Sequence, residues 1–171
     1  MNETISCLLN RRSVRAYRPE QIKPAELETI LQAGLYAPSA MNLQSSIMLV
    51  IQDRETISML SRLNAMVMGR DTDPFYGAPT VIVVLADKNA SNHVQDASLV
   101  MGNLMNAAFS LGVDSCWINR AREVFEMPEA RALLREKGIS DDYVGVGNCI
   151  LGYPVEEAPA KPRKDGYVIF G

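Results

Sequence analysis

The chain has 171 residues and a mass of 18.9 kDa, a length typical of a single domain. Hydrophobic residues make up 47% of it and charged residues 22%, so it has enough apolar surface to fold and is not a disordered chain. The net charge of −3 argues against non-specific nucleic-acid binding, which needs Lys and Arg to neutralise phosphates. The longest apolar run, 81–86, has six residues, whereas a membrane span takes roughly 20.

Helices and strands are predicted to intermix along the chain. The hydrophobic periodicity predicts helices over 3–10, 24–36, 55–66, 92–111 and 128–136, and strands over 47–51, 80–86, 115–118 and 143–151. Residues 69–79, with two glycines and two prolines, are predicted to form a loop. The elements do not alternate strictly, which indicates an α+β domain with a central sheet of about four or five strands and helices on both faces.

Two segments of the sequence are unusually apolar for the surface of a monomeric protein. The predicted helix 92–111 is apolar nearly all round, which is typical of the middle of a domain or of a subunit interface. The chain then closes with an extended segment ending in Tyr-Val-Ile-Phe at 167–170. We expect this tail to dock on a sheet edge or on a partner subunit.

The cysteine and histidine content limits the chemistry that side chains can perform. Three widely separated cysteines form no CxxC pair, and His93 is the single histidine. A metal site or a disulfide framework is therefore not predicted. The first residues contain neither a basic nor an apolar leader segment, so we expect a cytoplasmic protein. Chemistry, if the protein is an enzyme, is expected to come from a bound cofactor.

A basic cluster follows the first predicted helix. Arg11, Arg12, Arg15 and Arg18 surround Ser13. Guanidinium groups match phosphate oxygens, and a serine adds a hydroxyl donor, so the cluster can bind a phosphate. Arginines at a helix C-terminus also complement the helix dipole. Both interpretations stay open on spacing alone.

The segment 37–44 ends the second predicted helix and is rich in hydroxyl and amide groups. Turn chemistry alone explains Ser39, Asn42 and Gln44, although such groups beside a buried strand can also face a ligand.

Four further features have simple explanations. The partial GxGxxG at 145–150 lies within a strand and lacks the third glycine, so it does not indicate a Rossmann site. Cys116 is predicted to be a buried small hydrophobe. Trp117 is predicted to pack in the core, with stacking on a flat cofactor as the alternative. The basic run 161–164 is a solvated tail by default, or a second anion contact.

In this order, the segments resemble the nitroreductase family of FMN-dependent oxidoreductases. The resemblance rests on R-x-S-x-R at 11–15, A-P-S-x-x-N-x-Q at 37–44, G-A-P at 77–79, a long helix ending in Leu-Gly at 111–112, and the basic tail. It spans Arg11 to about Tyr167. It implies one domain, 1–171, that forms an intertwined homodimer. The tail 153–171 then docks on the partner, and two FMN molecules lie at the interface.

The resemblance also implies a role for each matching residue. Arg11 and Ser13 hold the FMN phosphate, with Arg12 nearby and Arg163 closing the site from the tail. Arg15 lies toward the pyrimidine edge of the flavin, where a cation stabilises charge that develops on reduction. The implied ring contacts are Pro38, Ser39, Asn42 and Gln44 from the other subunit, the amide of Asn64, and the backbone of Trp117 and Ile118.

The implied activity is a ping-pong reaction with no catalytic side chain. NAD(P)H passes a hydride to flavin N5, and a nitroaromatic, a quinone or a similar small acceptor then takes it. Two departures from the family pattern are Ser45–Ser46, where many members have Pro-Trp, and 67–68, where many have a lysine. A non-catalytic flavin store or sensor, and a structural domain that has lost the flavin, are the alternatives.

Overall fold

The architecture is a four-stranded antiparallel sheet with helices on both faces. The computed structural model describes residues 1–156 and 158–171. Its elements are α1 Glu3–Asn10, α2 Pro24–Leu35, β1 Ser46–Ile51, α3 Arg54–Met68, β2 Thr80–Asp87, α4 His93–Ser110, β3 Asp114–Ile118, α5 Ala121–Val124, α6 Pro128–Glu136 and β4 Tyr143–Gly152. Within the described residues, the strand order is β1-β2-β4-β3.

The predicted α+β class is confirmed. Every predicted helix and strand is present, with ends displaced by one or two residues. The sequence did not predict α5 or a 3-10 turn at Ala40–Asn42, because one turn of helix is too short to show a hydrophobic period.

Two apolar cores lie on opposite faces of the sheet, and β2 separates them. Val81, Val83 and Leu85 belong to the core under α3, α5 and α6, whereas Ile82 and Val84 face the core under α2 and α4. This alternation follows from the two-residue period of a strand. The prediction that β2 is covered on both faces is confirmed, since its residues from Thr80 to Ala86 are all buried.

The packing of α2 and α4 corrects two expected core positions. The helical spacing of apolar residues predicts Leu35 on the buried face of α2 and Val94 on that of α4. In the structure, 63% and 45% of their surfaces are exposed. The buried line of α2 instead passes through Ile30 and Gly34. A Cβ on Gly34 would lie 2.7 Å from the sulfur of Met48, so the helix approaches the sheet along that line and leaves Leu35 outside.

Helix α1 and the C-terminal tail remain uncovered within one chain. No residue of α1 is buried, and its apolar Ile5, Leu8 and Leu9 are about half exposed. The side chains of 167–170 are 67–92% exposed. No helix in the described part of the chain is both long and apolar enough to cross a bilayer.

Candidate functional site

The basic cluster is fixed against the edge of the sheet formed by β3. Ser13 forms a parallel bridge with Ser115, and the Val14 amide donates to the Ser115 carbonyl at 3.1 Å. Tyr17 forms a second bridge with Pro154. Because Val14 and Tyr17 are buried, residues 11–15 follow the sheet edge closely and their polar side chains project from it.

These side chains and the tail surround a cavity of about 310 Å³, which we call the basic cavity. It is lined by Arg11, Arg12, Ser13, Arg15, Ala158, Pro159, Lys161 and Arg163. Arg11, Arg15 and Arg163 form no ion pair with any described residue. Nη1 of Arg11 is buried and has no hydrogen-bond partner in that part of the chain. Unpaired cations around a concave site favour an anionic ligand, because guanidinium groups form charge-assisted hydrogen bonds to phosphate oxygens.

Arg12 has a different role from its neighbours. Its Nη1 donates to the carbonyls of Leu9 and Arg11, at 2.7 and 2.8 Å. These are carbonyls at the end of α1, which lack partners within the helix. The two interpretations of the cluster therefore divide between residues: Arg12 caps the helix, and Arg11 is free for an anion.

Asn64 lies further along the same edge of the sheet. It is fully buried on α3, and its Nδ2 donates to the Asn119 carbonyl at 2.8 Å. Its Oδ1 is buried without a partner among the described residues, although a buried amide oxygen normally accepts a hydrogen bond. From Ser115 to Asn119 the chain spans roughly 13 Å at about 3.3 Å per residue. Asn64 and the basic cavity therefore lie along one short strand.

Trp117 and Ile118 lie between these two positions. The Trp117 ring packs over Gly147 of the neighbouring strand, where an added Cβ would lie 2.8 Å from ring atoms. Trp117 is half-buried against the apolar core, which agrees with the packing role predicted for it. The Ile118 carbonyl accepts a hydrogen bond from Asn148 at 3.3 Å.

The residues 38–44, which we call the 38–44 loop, form a tight turn with unusual backbone angles. Met41, Asn42 and Gln44 have φ values of 50°, 55° and 49°. Such left-handed conformations cost about 1–3 kcal/mol each for residues other than glycine and cluster at ligand-binding segments. Ser39 Oγ accepts from the Gln44 amide at 3.1 Å, and Gln44 Nε2 donates to Asn42 Oδ1 at 2.9 Å.

The 38–44 loop and the basic cavity lie at diagonally opposite corners of the sheet. The loop leads into Ser46, which is in register with Ala86 on β2 and, through it, Val144 on β4. Ser13 bridges Ser115, which is paired with Leu151 at the other end of β4. Strand rise and spacing place these corners roughly 25 Å apart. One chain thus brings Arg11, Ser13, Arg15 and Arg163 together but not the predicted ring contacts Pro38, Ser39, Asn42 and Gln44.

Two residues to which the sequence assigned no individual role belong to these corners. Lys161 lines the basic cavity, and the basic run 161–164 was a visible signal for it. Asp96 is 5% exposed, and its Oδ1 accepts a hydrogen bond from the Ala40 amide at 3.1 Å. Its signal is also in the sequence, since it is the only Asp, Glu, Lys or Arg between Lys88 and Asp114.

Two of the three cysteines are buried, and burial makes Cys149 unsuited to nucleophilic chemistry. Cys116 is buried, as predicted, and burial raises the pKa of the Cys149 thiol to about 12. Burial also raises the pKa of Cys7, partly offset by the charge of Arg11. A thiol must ionise to attack, so the Cys149 thiol stays protonated at neutral pH. The described residues contain no group of three or more His, Cys, Asp or Glu placed to hold a metal ion.

Comparison with known proteins gives one consistent result. The model of the nitroreductase family matches residues 8–153. A protein of Archaeoglobus fulgidus, named as a candidate NADH dehydrogenase/NAD(P)H nitroreductase, is 35% identical over 163 residues, covering 92% of this chain and 88% of the relative. The FMN reductase [NAD(P)H] of Bacillus subtilis is 26% identical over 193 residues, covering 95% and 70%.

A solved structure gives the same result. A nitroreductase from Bacteroides fragilis, crystallised with bound FMN, superimposes with a TM-score of 0.90 at 30% identity, and all of both chains is covered. The family match extends over most of the chain and includes both the basic segment at 11–15 and the 38–44 loop. The chain belongs to the nitroreductase family.

Proposed function

We propose that the protein is a homodimeric, FMN-dependent oxidoreductase that uses NAD(P)H to reduce nitroaromatics, quinones or similar small acceptors. The observation that carries the proposal is the sheet edge at β3. There, unpaired cations and the unpartnered oxygen of Asn64 lie at the two ends of one strand. The FMN bound to the Bacteroides fragilis nitroreductase and the name of the Bacillus subtilis FMN reductase [NAD(P)H] support the same cofactor and reductant.

The residues present fit FMN in chemical type. Arg11, Ser13 and Arg163 offer donors for a phosphate in the basic cavity. The Asn64 oxygen is free to accept an N–H from a ring edge. Arg15 is exposed beside them, and a cation there stabilises negative charge that develops on the ring during reduction.

The contribution of the chain itself is binding, orientation and electrostatics. FMN, when bound, supplies the transfer of hydride between NAD(P)H and an acceptor, which side chains of this kind do not perform. Arg12 fixes the exit of α1 and so holds Arg11 and Ser13 at the cavity. Asn64, tied to the Asn119 carbonyl, fixes its free oxygen at the other end of β3.

A second copy of the chain completes the site. The 38–44 loop lies too far from the basic cavity within one chain, so Pro38, Ser39, Asn42 and Gln44 reach the ring only from a partner. The same partner covers surfaces that one chain leaves open, namely the apolar side chains of α1 and the tail residues 167–170. We infer that the tail 153–171 docks on the partner subunit through its apolar end, residues 167–170, since an exposed apolar segment of this kind marks a protein–protein contact.

The first test is the visible absorption spectrum of the purified protein, before and after heat release of any ligand. We expect a flavin spectrum that becomes that of free FMN on release, and one FMN per chain on reconstitution. A protein that is colourless and takes up no added FMN contradicts the proposal.

Two measurements on the FMN-loaded protein test the remaining parts of the proposal. NADH or NADPH added under nitrogen is expected to bleach the flavin, and an acceptor then restores the colour. Bound flavin that neither nucleotide bleaches indicates a store or sensor instead. Analytical ultracentrifugation is expected to give a dimer, whereas a monomer that holds FMN overturns the shared site.

A further inference from the structure

Asp96 is a buried acid in an otherwise uncharged helix. Among residues 89–113 it is the only Asp, Glu, Lys or Arg, and it is 5% exposed. Burying a carboxyl group is costly unless it makes hydrogen bonds. A short apolar side chain would fit the pattern of α4 better, so the acid must serve a contact that an apolar residue cannot make.

The contact that Asp96 makes is with the 38–44 loop. Its Oδ1 accepts from the Ala40 amide at 3.1 Å. Ala40 begins the 3-10 turn, and Met41, Asn42 and Gln44 follow with positive φ. The other hydrogen bonds of the loop among the described residues are internal to it, such as Asn42 to Ser39 and Leu43 to Ala40. Asp96 is thus the hydrogen-bonding link between this strained turn and another element.

Strained backbone persists only where the surroundings hold it in place. Asp96 and the loop enclose a small pocket of about 110 Å³ that Ser39, Gln44 and Ser46 also line. Oδ2 of Asp96 and Oγ of Ser46 are buried there without a partner among the described residues. The turn therefore packs on a pocket with mixed polar and apolar lining, and the directed support it receives from another element is the single bond between Asp96 and Ala40.

We infer that Asp96 is a positioning residue for the redox site. Through its bond to Ala40 it holds the 38–44 loop in the conformation in which Ser39 and Asn42 face the flavin of the partner. This inference rests on the proposed function. Asp96 itself contacts neither ring nor substrate, because it lies beneath the loop on α4. It acts through the backbone of the turn.

Three variants and one control test the inference. Asp96→Ala removes the acceptor. Ala40→Pro removes the donor and leaves Asp96 intact, and the extended backbone of Ser39 (φ −135°, ψ 151°) tolerates a following proline. Asp96→Asn keeps an acceptor oxygen. The control is Asn103→Ala, which removes a side-chain hydrogen bond from the same helix to Ala33, outside the loop.

The first readout, hydrogen exchange of peptides covering 39–46, needs no flavin. We expect about tenfold faster exchange in Asp96→Ala and Ala40→Pro, and little change in Asp96→Asn or Asn103→Ala. If Asp96→Ala does not fold, Ala40→Pro and Asp96→Asn give the answer. Unchanged exchange in Ala40→Pro overturns the inference, as does equal loosening in Asn103→Ala.

The second readout is the visible circular dichroism of bound FMN together with its Kd. Loss of the Ala40 bond is expected to change the flavin dichroism and to raise the Kd about tenfold, and Asp96→Asn is expected to restore both. Faster exchange with unchanged flavin spectra overturns the positioning role but leaves the proposed function intact. Failure of the unmodified protein to bind FMN overturns the proposed function. The exchange data would still show whether Asp96 stabilises the 38–44 loop.

Discussion

The two corners of the sheet that carry candidate site residues differ in how they are held. Residues 11–15 are held on β3 by a strand bridge, a backbone hydrogen bond and the buried side chains of Val14 and Tyr17. The 38–44 loop is held by bonds within itself and one hydrogen bond to Asp96. The first corner forms a cavity within one chain, and the second is a strained turn on which Asn42 and Gln44 are exposed.

This difference indicates which part of the proposed shared site a single chain can build. A site for a phosphate needs fixed cations, and an edge strand with buried neighbours provides them. A contact with the partner's ligand needs an exposed segment, which cannot be stabilised by burial in its own chain. The following variants test this contrast, from the largest expected effect to the smallest.

Gly145→Ala is expected to destabilise β4, the inner strand whose other end pairs with β3 beneath the first corner. A Cβ at this position would collide with the backbone of Ala121, where α5 crosses β4. We expect a loss of about 3 kcal/mol in the free energy of unfolding, because neither backbone can move freely. Gly102→Ala is the matched control, since a Cβ there meets no atom within 4 Å. Urea unfolding measures both, and equal effects contradict the prediction.

Arg11→Ala is expected to raise the Kd of FMN about thirtyfold, because it removes a charged donor already free of other partners. Arg163→Ala is expected to raise it about fivefold, since this side chain is exposed on the tail and loses more freedom on binding. Arg70→Ala is the control, an exposed arginine outside the cavity. Titration of flavin fluorescence measures each Kd, and full affinity in both cavity variants disproves the phosphate assignment.

Ile169→Ser tests the proposed contact between subunits, on which the role of the second corner depends. Within one chain, Ile169 is 89% exposed, so its loss does not affect the fold of a monomer. If the tail docks on the partner, the dimer dissociation constant rises about tenfold through loss of buried apolar area. Met66→Gln, at a 58% exposed site on α3, is the control. Sedimentation at several protein concentrations measures the dimer dissociation constant. An unchanged dissociation constant for Ile169→Ser argues against docking of the tail on the partner.

Glu26→Gln is expected to have the smallest effect and a defined pH dependence. The Tyr153 hydroxyl donates to Glu26 at 2.5 Å and, with Lys23, holds the pKa of this carboxyl below its ordinary value of 4.5. A carboxyl with a lower pKa in the folded state contributes stability that is complete above pH 4.5 and is lost as the pH falls through the folded pKa. Thermal midpoints of wild type and variant are thus expected to differ slightly at pH 7 and to converge below pH 4.5. A difference that grows on acidification contradicts the prediction.

The order of helices and strands was readable from sequence because it depends on local periodicity. β2 shows this most clearly, since its unbroken apolar residues can be satisfied only by a core on each face. The basic cluster and the 37–44 motif were also readable, because each keeps its residues within a few positions of one another. Their distribution over opposite corners was not readable, since it depends on the strand order β1-β2-β4-β3.

The sequence by itself determined the α+β class, the cationic segment at 11–15 and the likeness to the nitroreductase family, because periodicity, charge and motif spacing are local properties. The tertiary structure decided that Arg12 caps a helix while Arg11 stays free. It also decided that Leu35 faces outward and that Asp96 reaches Ala40 across 56 positions of chain. Those outcomes depend on which surfaces pack together. Packing brings together residues that are far apart along the chain, and no local sequence pattern predicts such contacts.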